Sequence, residues 1–203
     1  MRLKAMAKIN LGLDVLGKRE DGYHEVRMIM QTIRMYDILD IRKTRRPGIV
    51  LTTNLPFIPT DQRNLVYKAA QMLMEEFDVE EGLSIKLRKF IPVAAGMAGG
   101  SSDAAAAFVG VNRMFHLGLT EEQLMERAVK VGADVPYCTM RGTALAEGIG
   151  EKLTRLPEVP KCYVLIGKPG INVSTKTAYE NLNLAGQALE HRVTAEELLA
   201  HLL

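Results

Sequence analysis

Pro92-Val93-Ala94-Ala95-Gly96-Met97-Ala98-Gly99-Gly100-Ser101-Ser102-Asp103 is the stretch whose reading decides the fold. The segment before it, Leu83 to Phe90, alternates apolar and polar side chains, the period of a strand with one buried face. The segment after it, Ala104 to Phe108, is a run of small residues that opens a helix. The order is therefore strand, glycine-rich loop, helix. Three glycines and two serines at a helix start let several backbone N–H groups point at one place, and the helix end adds a positive partial charge. The hydroxyls of Ser101 and Ser102 add donors at the same spot. That chemistry suits an anion, and a phosphate in particular. The spacing matches neither GxxxxGK[ST], since no lysine follows the glycines, nor GxGxxG. Taken alone, the loop reads equally as a tight turn that needs glycine backbone freedom.

The rest of the composition narrows the classes. A chain of 203 residues allows one large domain or two small ones, and 47% hydrophobic with 25% charged residues is ordinary globular usage. A core of this size needs no staple. Cys138 and Cys162 lack metal-ligand spacing and read as buried thiols of a reducing cytoplasm rather than a disulfide. Residues 1–10 mix Lys and Arg with apolar residues, which is neither a secretory signal nor a membrane span. The net charge is +2, there is no Trp, and aromatics are 5% of the chain. Arg42-Lys43-Thr44-Arg45-Arg46 has no interleaved aromatic and reads as a solvated loop, so nucleic acid is not an expected partner. Eleven methionines are present, but Met28, Met30, Met35, Met72 and Met74 lie in apolar periodic runs that fill a core.

Working outward from the loop, odd positions from Leu3 to Val15 are apolar, which predicts a strand with one buried face and places Lys8 and Asn10 together on the other. Val26–Ile41 and Gly48–Thr53 read as further strands. Asn64 is placed to cap a helix running to Phe77, with Leu65, Ala69, Met72, Leu73 and Phe77 on one stripe. Thr120-Glu121-Glu122-Gln123 is a capping box that starts a helix ending at Gly132, and Thr194 to Glu197 is another, launching Leu198, Leu199, Leu202 and Leu203. A helix that short needs a partner for its apolar stripe. Cys162 to Ile166 is a continuous apolar run and predicts a buried strand.

The quoted loop resembles the phosphate-binding motif of the GHMP kinase superfamily, the galactose, homoserine, mevalonate and phosphomevalonate kinases. Ala7-Lys8-Ile9-Asn10-Leu11, Arg19-Glu20-Asp21-Gly22-Tyr23-His24, Gly132-Ala133-Asp134-Val135-Pro136 and Ala146-Glu147-Gly148-Ile149-Gly150-Glu151 are similar, in order and spacing, to the 4-diphosphocytidyl-2-C-methyl-D-erythritol kinase family within it. The resemblance implies an α+β fold: helices on a mixed or mostly antiparallel sheet, with the glycine-rich loop at a strand-to-helix junction. It implies an N-terminal ATP-binding domain over residues 1–155 and the opening of a C-terminal domain over residues 156–203. Members of that family continue through a second glycine-rich motif that this sequence does not contain, so the chain is read as truncated.

The resemblance also implies roles. Phosphoryl transfer needs an in-line acceptor hydroxyl, a group to take its proton and neutralisation of developing charge. Asp134 and Lys8 match the family's catalytic pair; without the resemblance they read as a turn-forming aspartate and a solvent-facing strand lysine. For ATP the implied set is Asn64, Leu65, Pro92, Ala94, Gly96, Ala98, Gly99, Gly100, Ser101 and Ser102, with Asn64 also readable as a plain helix cap. For a cytidine diphosphate substrate it is Asn10, Tyr23, His24, Asp134, Thr175 and Tyr179, with Tyr179 equally readable as a core residue. Mg²⁺ is expected with the ATP; its ligands are unknown from the sequence, Ser102 and Glu147 being the available candidates. A cytoplasmic location follows, and the oligomeric state is not given.

Overall fold

The structure is a computed structural model that describes residues 1–170, Ala178, residues 181–182 and residues 194–202. These gather into two compact units that interleave along the chain: Met1–Lys8, Ile33–Pro92 and Ala98–Met140 in the first, and Ile9–Thr32, Val93–Met97 and Arg141–Leu203 in the second. Two long strands, β1 (Arg2–Lys18) and β2 (His24–Thr44), pair with each other, and each contributes a segment to both units.

In the first unit β3 (Ile49–Thr53) runs parallel to β4 (Gly82–Arg88), and β4 runs antiparallel to the second half of β2. Parallel neighbours need a crossover, and α1 (Leu65–Glu76) supplies it. Leu83, Ile85 and Leu87 alternate with exposed Lys86 and bury themselves with Leu39, Ile41 and Leu51. Helix α2 (Gly99–Phe115) packs on α1. Every residue from Ser102 to Phe108 is buried, the pattern of a helix enclosed on all sides. Gly110 lets α2 approach the sheet: a Cβ there would lie 2.5 Å from Ile41 Cδ1 and 2.7 Å from Leu3 Cδ1. Helix α3 (Glu121–Ala128) carries the expected capping box, Gln123 N–H donating to Thr120 Oγ1 at 3.3 Å and Thr120 N–H to Gln123 Oε1 at 3.0 Å. The Arg127 guanidinium ties it to Glu76 at the end of α1, with Nε 2.8 Å from Oε2. The short helix α4 (Val135–Met140) follows and is wholly buried.

In the second unit β5 (Thr143–Gly148) runs antiparallel to the first half of β2 and to β6 (Lys152–Arg155). Val26, Met28, Ile29, Met30, Ala144 and Ala146 are buried there. Helix α5 (Ala195–Leu202) opens with its predicted capping box, Thr194 N–H donating to Glu197 Oε2 at 2.7 Å. Leu198 of its stripe meets β1: a Cβ on Gly12 would lie 2.8 Å from Leu198 Cδ1.

The mixed sheet, the helices and the loop at a strand-to-helix junction agree with the expected fold class. Three local expectations need correction. The Cys162–Ile166 run forms no strand; Tyr163 and Leu165 are fully exposed, because an apolar run demands a neighbouring strand and among the described residues none pairs with it. Cys162 is accordingly an exposed thiol, while Cys138 is buried. The alternation of β1 does not hold one phase: Ala5 and Ala7 are buried on the odd face, but so are Lys8 and Asp14, while Leu11 and Leu13 are exposed at 40% and 42%. The shift has a cause in the second unit, where the Asp14 carboxylate accepts the Ala195 N–H at 2.8 Å and is drawn inward under α5.

Gly82 has no room for a side chain, since a Cβ would stand 1.7 Å from the backbone oxygen of Arg46. Gly82→Ala should cost about 1–3 kcal/mol, the range for forced overpacking, read as a lowered urea midpoint at unchanged slope.

Candidate active site

The site is built around the first turn of α2. Ala98 precedes the helix in the left-handed conformation (φ 54°, ψ 31°), and no side chain caps it. The ladder begins with the Ser102 N–H donating to Ala98 O at 2.8 Å. The N–H groups of Gly99, Gly100 and Ser101 therefore stand ahead of the ladder and face out of the helix end. Along the chain Ala94 (φ 53°), Gly96 (φ 69°) and Ala98 (φ 54°) take positive φ. At the two alanines that conformation costs roughly 1–2 kcal/mol each. Leu65, the first residue of α1, approaches the same turn: a Cβ on Gly100 would lie 3.7 Å from its Cδ1. Asn64 is a helix cap in full, its Oδ1 accepting the Val66 N–H at 2.9 Å and its Nδ2 donating to Pro59 O at 2.7 Å. Pro92 is half-buried at the end of its segment.

Ser102 departs from expectation. It is buried, and its hydroxyl turns away from the helix mouth to donate to Met6 O at 2.5 Å, with Cys138 Sγ at 3.3 Å. That inward turn is informative. Met6 lies two residues before Lys8 on β1, and the Cys138 N–H donates to Asp134 O at 3.0 Å one turn along α4. Ser102 thus ties the strand carrying Lys8 and the helix following Asp134 to the first turn of α2. Lys8 is only 5% exposed, not the solvent-facing lysine that the alternation predicts, and Asp134 is half-buried at the start of α4.

In the second unit Asn10 is half-buried on β1, its Nδ2 3.6 Å from Met28 Sδ. Tyr23 is 60% exposed and His24 half-buried at the start of β2. Their turn is firmly closed: Arg19 N–H donates to Tyr23 O at 2.8 Å, the Tyr23 N–H donates to Asp21 Oδ1 at 3.1 Å, and Gly22 takes φ +84°. The Arg19 guanidinium reaches Asp21 at 2.9 Å and Glu25 at 2.8 Å, and with the Tyr23 amide holds the Asp21 carboxyl below its ordinary range. Thr175 and Tyr179 lie outside the described residues.

The sequence reading misses one cluster altogether. Lys89, just before the loop, is buried between Asp37 of β2 and Asp103 of α2. The visible signal was Asp37, a charged residue inside an otherwise apolar strand segment, and Asp103 in the quoted stretch; nothing in the sequence joins them.

Residues 64–142 match the family described as GHMP kinases N terminal domain. The chain is 57% identical over 183 residues to a protein of Lachnospira eligens named 4-diphosphocytidyl-2-C-methyl-D-erythritol kinase, a match covering 90% of this chain and 64% of that one. It is 59% identical over 182 residues to a protein of the same name from Lachnoclostridium phytofermentans, covering 90% of this chain and 62% of that one. A crystal structure of 4-(cytidine 5'-diphospho)-2C-methyl-D-erythritol kinase superposes with a TM-score of 0.68 at 35% identity, over 77% of this chain and 55% of that one. Over residues 64–142 the chain matches the GHMP kinase N-terminal domain, and the relatives and the superposed structure liken it to the same kinases. Both relatives bear the 4-diphosphocytidyl-2-C-methyl-D-erythritol kinase name, and the chain spans less than two thirds of their length.

Ser102→Ala removes a buried donor and leaves Met6 O without it. The change should destabilise the chain by about 1–3 kcal/mol, measured by chemical denaturation.

Proposed function

We propose that this chain carries the ATP site and phosphoryl-transfer pair of a kinase that phosphorylates the 2-hydroxyl of 4-diphosphocytidyl-2-C-methyl-D-erythritol and releases ADP, a step of non-mevalonate isoprenoid precursor synthesis. The observation that carries this is the convergence on Ser102. It brings β1 beside Lys8, α4 beside Asp134 and the open N-terminus of α2 to one point of the first unit. The relatives' names supply the substrate. The N–H groups of Gly99, Gly100 and Ser101 would take the ATP phosphates, with the helix dipole behind them. Asp134 would accept the proton of the substrate hydroxyl, and Lys8 would hold that carboxylate ionised and neutralise charge as the phosphoryl group moves. Asn64 and Leu65 border the adenine in this reading, and Tyr23 stacks on the cytosine with His24 hydrogen-bonded to it. Asn10, Thr175 and Tyr179 complete the substrate set, and residues 1–155 form the ATP-binding domain, with 156–203 opening the next one.

Mg²⁺ belongs to this chemistry as the partner of ATP, supplying charge neutralisation at the phosphates. Ser102 and Glu147 are its candidate protein ligands: the Ser102 hydroxyl donates to Met6 O and keeps its oxygen lone pairs, and the Glu147 carboxylate accepts from Arg27 Nε at 3.2 Å through Oε1. Among the described residues no group of three His, Cys, Asp or Glu side chains converges for a metal. Phosphate oxygens and water would supply the rest of its ligands. No helix among the described residues is long and apolar enough to cross a membrane, and a cytoplasmic setting, where ATP is found, goes with the proposal.

Calorimetric titration of the 203-residue chain with AMP-PNP and then with the cytidine substrate, beside an ADP-release assay, tests the reading. Binding of both ligands supports it; turnover shows that this span suffices, while its absence marks a binding fragment of the enzyme. Binding of neither overturns it. Asp134→Asn should abolish turnover, measured in a full-length relative if this span is inactive, and leave AMP-PNP affinity within about twofold, a difference of less than ~0.5 kcal/mol. Tyr23→Ala should weaken the cytidine substrate by about tenfold or more and spare ATP, as loss of one base stack is worth roughly 1–3 kcal/mol.

A further inference from the structure

Three charged side chains meet in the core of the first unit, and the reaction described above uses none of them. Asp37 is 0% exposed, Asp103 2% and Lys89 8%. The Lys89 ammonium donates to Asp37 Oδ2 and to Asp103 Oδ2, the second at 2.6 Å. Asp37 does more: its Oδ1 accepts the Phe90 N–H at 2.5 Å and the Ile91 N–H at 2.8 Å. Asp103 does less, because its Oδ1 is buried with no hydrogen-bond partner. Burial also holds the Asp103 carboxyl well above the ordinary carboxylate range, against the pull of Lys89. As a source of stability this is a poor arrangement. Buried ion clusters rarely repay their desolvation, and an unpartnered buried oxygen adds a further cost.

Its placement explains it better. Phe90 and Ile91 are the last residues before the glycine-rich loop begins at Pro92, and Asp103 stands in the second turn of α2, just past the loop's end. Asp37 grips the entry through two backbone N–H groups, and Lys89 reaches across to the exit through Asp103. At Gly99, the first residue of α2, an added Cβ would lie 3.1 Å from Lys89 Nζ and 3.1 Å from Ile91 Cγ2. The clamp therefore sits directly beneath the helix end whose N–H groups face outward. A loop seven residues long, Pro92 to Ala98, with left-handed alanines at Ala94 and Ala98, has many alternative shapes unless its two ends are fixed.

We propose that the Asp37–Lys89–Asp103 cluster is a positioning clamp that fixes the span of the glycine-rich loop, with Lys89 as its pivot, and so sets the affinity of α2's N-terminus for a polyphosphate. The proposal rests on the nucleotide reading for its ligand but not for its geometry. Lys89 touches no reacting group in this account and acts only through the backbone it holds.

The test uses the 203-residue chain, with Lys89→Met and Asp37→Asn as disrupting variants and Asp103→Asn as the conservative one. Asparagine at 103 still offers Lys89 an oxygen, whereas asparagine at 37 cannot satisfy both the Lys89 ammonium and the two backbone N–H groups. Affinities for AMP-PNP and for adenosine are measured separately, together with amide exchange at residues 90–91 and 99–102. The clamp predicts that Lys89→Met and Asp37→Asn lose about tenfold or more for AMP-PNP, about 1.4 kcal/mol. Adenosine stays within twofold, exchange rises at the loop ends, and Asp103→Asn stays close to the parent chain. An equal loss for both ligands, or unchanged affinity and exchange in a folded Lys89→Met chain, would overturn it. If Lys89→Met does not fold, Asp37→Asn decides by the same measures. If the parent chain binds neither ligand, the nucleotide reading falls by itself. The exchange comparison then decides the clamp: faster exchange confined to the loop ends supports it, and uniform or unchanged exchange contradicts it.

Discussion

Everything at the candidate site depends on α2 being buried along its body and open at its tip. A helix end leaves N–H groups unpaired, and they are available to a ligand only if nothing in the protein caps them. Here no side chain does, and Ala98 takes the left-handed conformation that starts the helix without a cap. The opening is tolerable because the next turns are fixed so firmly. Ser102 to Phe108 are all buried, Gly110 lets the helix press against Ile41 and Leu3, and the Ser102 hydroxyl is spent inward on Met6 O. A hydroxyl aimed at the helix mouth would have been a donor for the anion; turned inward, it aligns β1 and α4 instead.

Much of this was legible in the sequence. The period of two holds from Leu83 to Arg88, and the glycines, the alanine run and both capping boxes appear where their chemistry predicts. What was not legible depends on which distant segment supplies a neighbour. Lys8 sits at a polar position of an alternating strand, so the pattern sends it to solvent, yet it is buried. The apolar run Cys162–Ile166 asks for burial and does not receive it among the described residues. Asp37 and Lys89 are 52 positions apart and meet because β2 and β4 lie side by side, with Ile38 opposite Arg88. No local rule reveals such a pairing.

On the proposed nucleotide reading, the inward serine and the buried Asp37–Lys89–Asp103 cluster answer one difficulty. A loop that holds a highly charged ligand with backbone N–H groups must keep them converged when no ligand is there to pull them together. Preorganisation of that kind has a cost, visible here in left-handed alanines and an unpartnered carboxylate oxygen. The carboxylate share of that cost lies below the loop and leaves the outward-facing N–H groups clear. The exposed Tyr23 turn, closed by Arg19 with Asp21 and Glu25, applies the same economy in the second unit, where ion pairs hold an aromatic in place without covering it.

The central claim is that the N–H groups of Gly99, Gly100 and Ser101 receive the phosphates of a nucleotide. Amide chemical shifts of these three residues, followed by ¹⁵N–¹H NMR while AMP-PNP is added, test it directly. The account predicts that all three move together and saturate, far more than amides elsewhere in α2, and that adenosine alone leaves them in place. Saturable binding of AMP-PNP that leaves these three amides unmoved would contradict it.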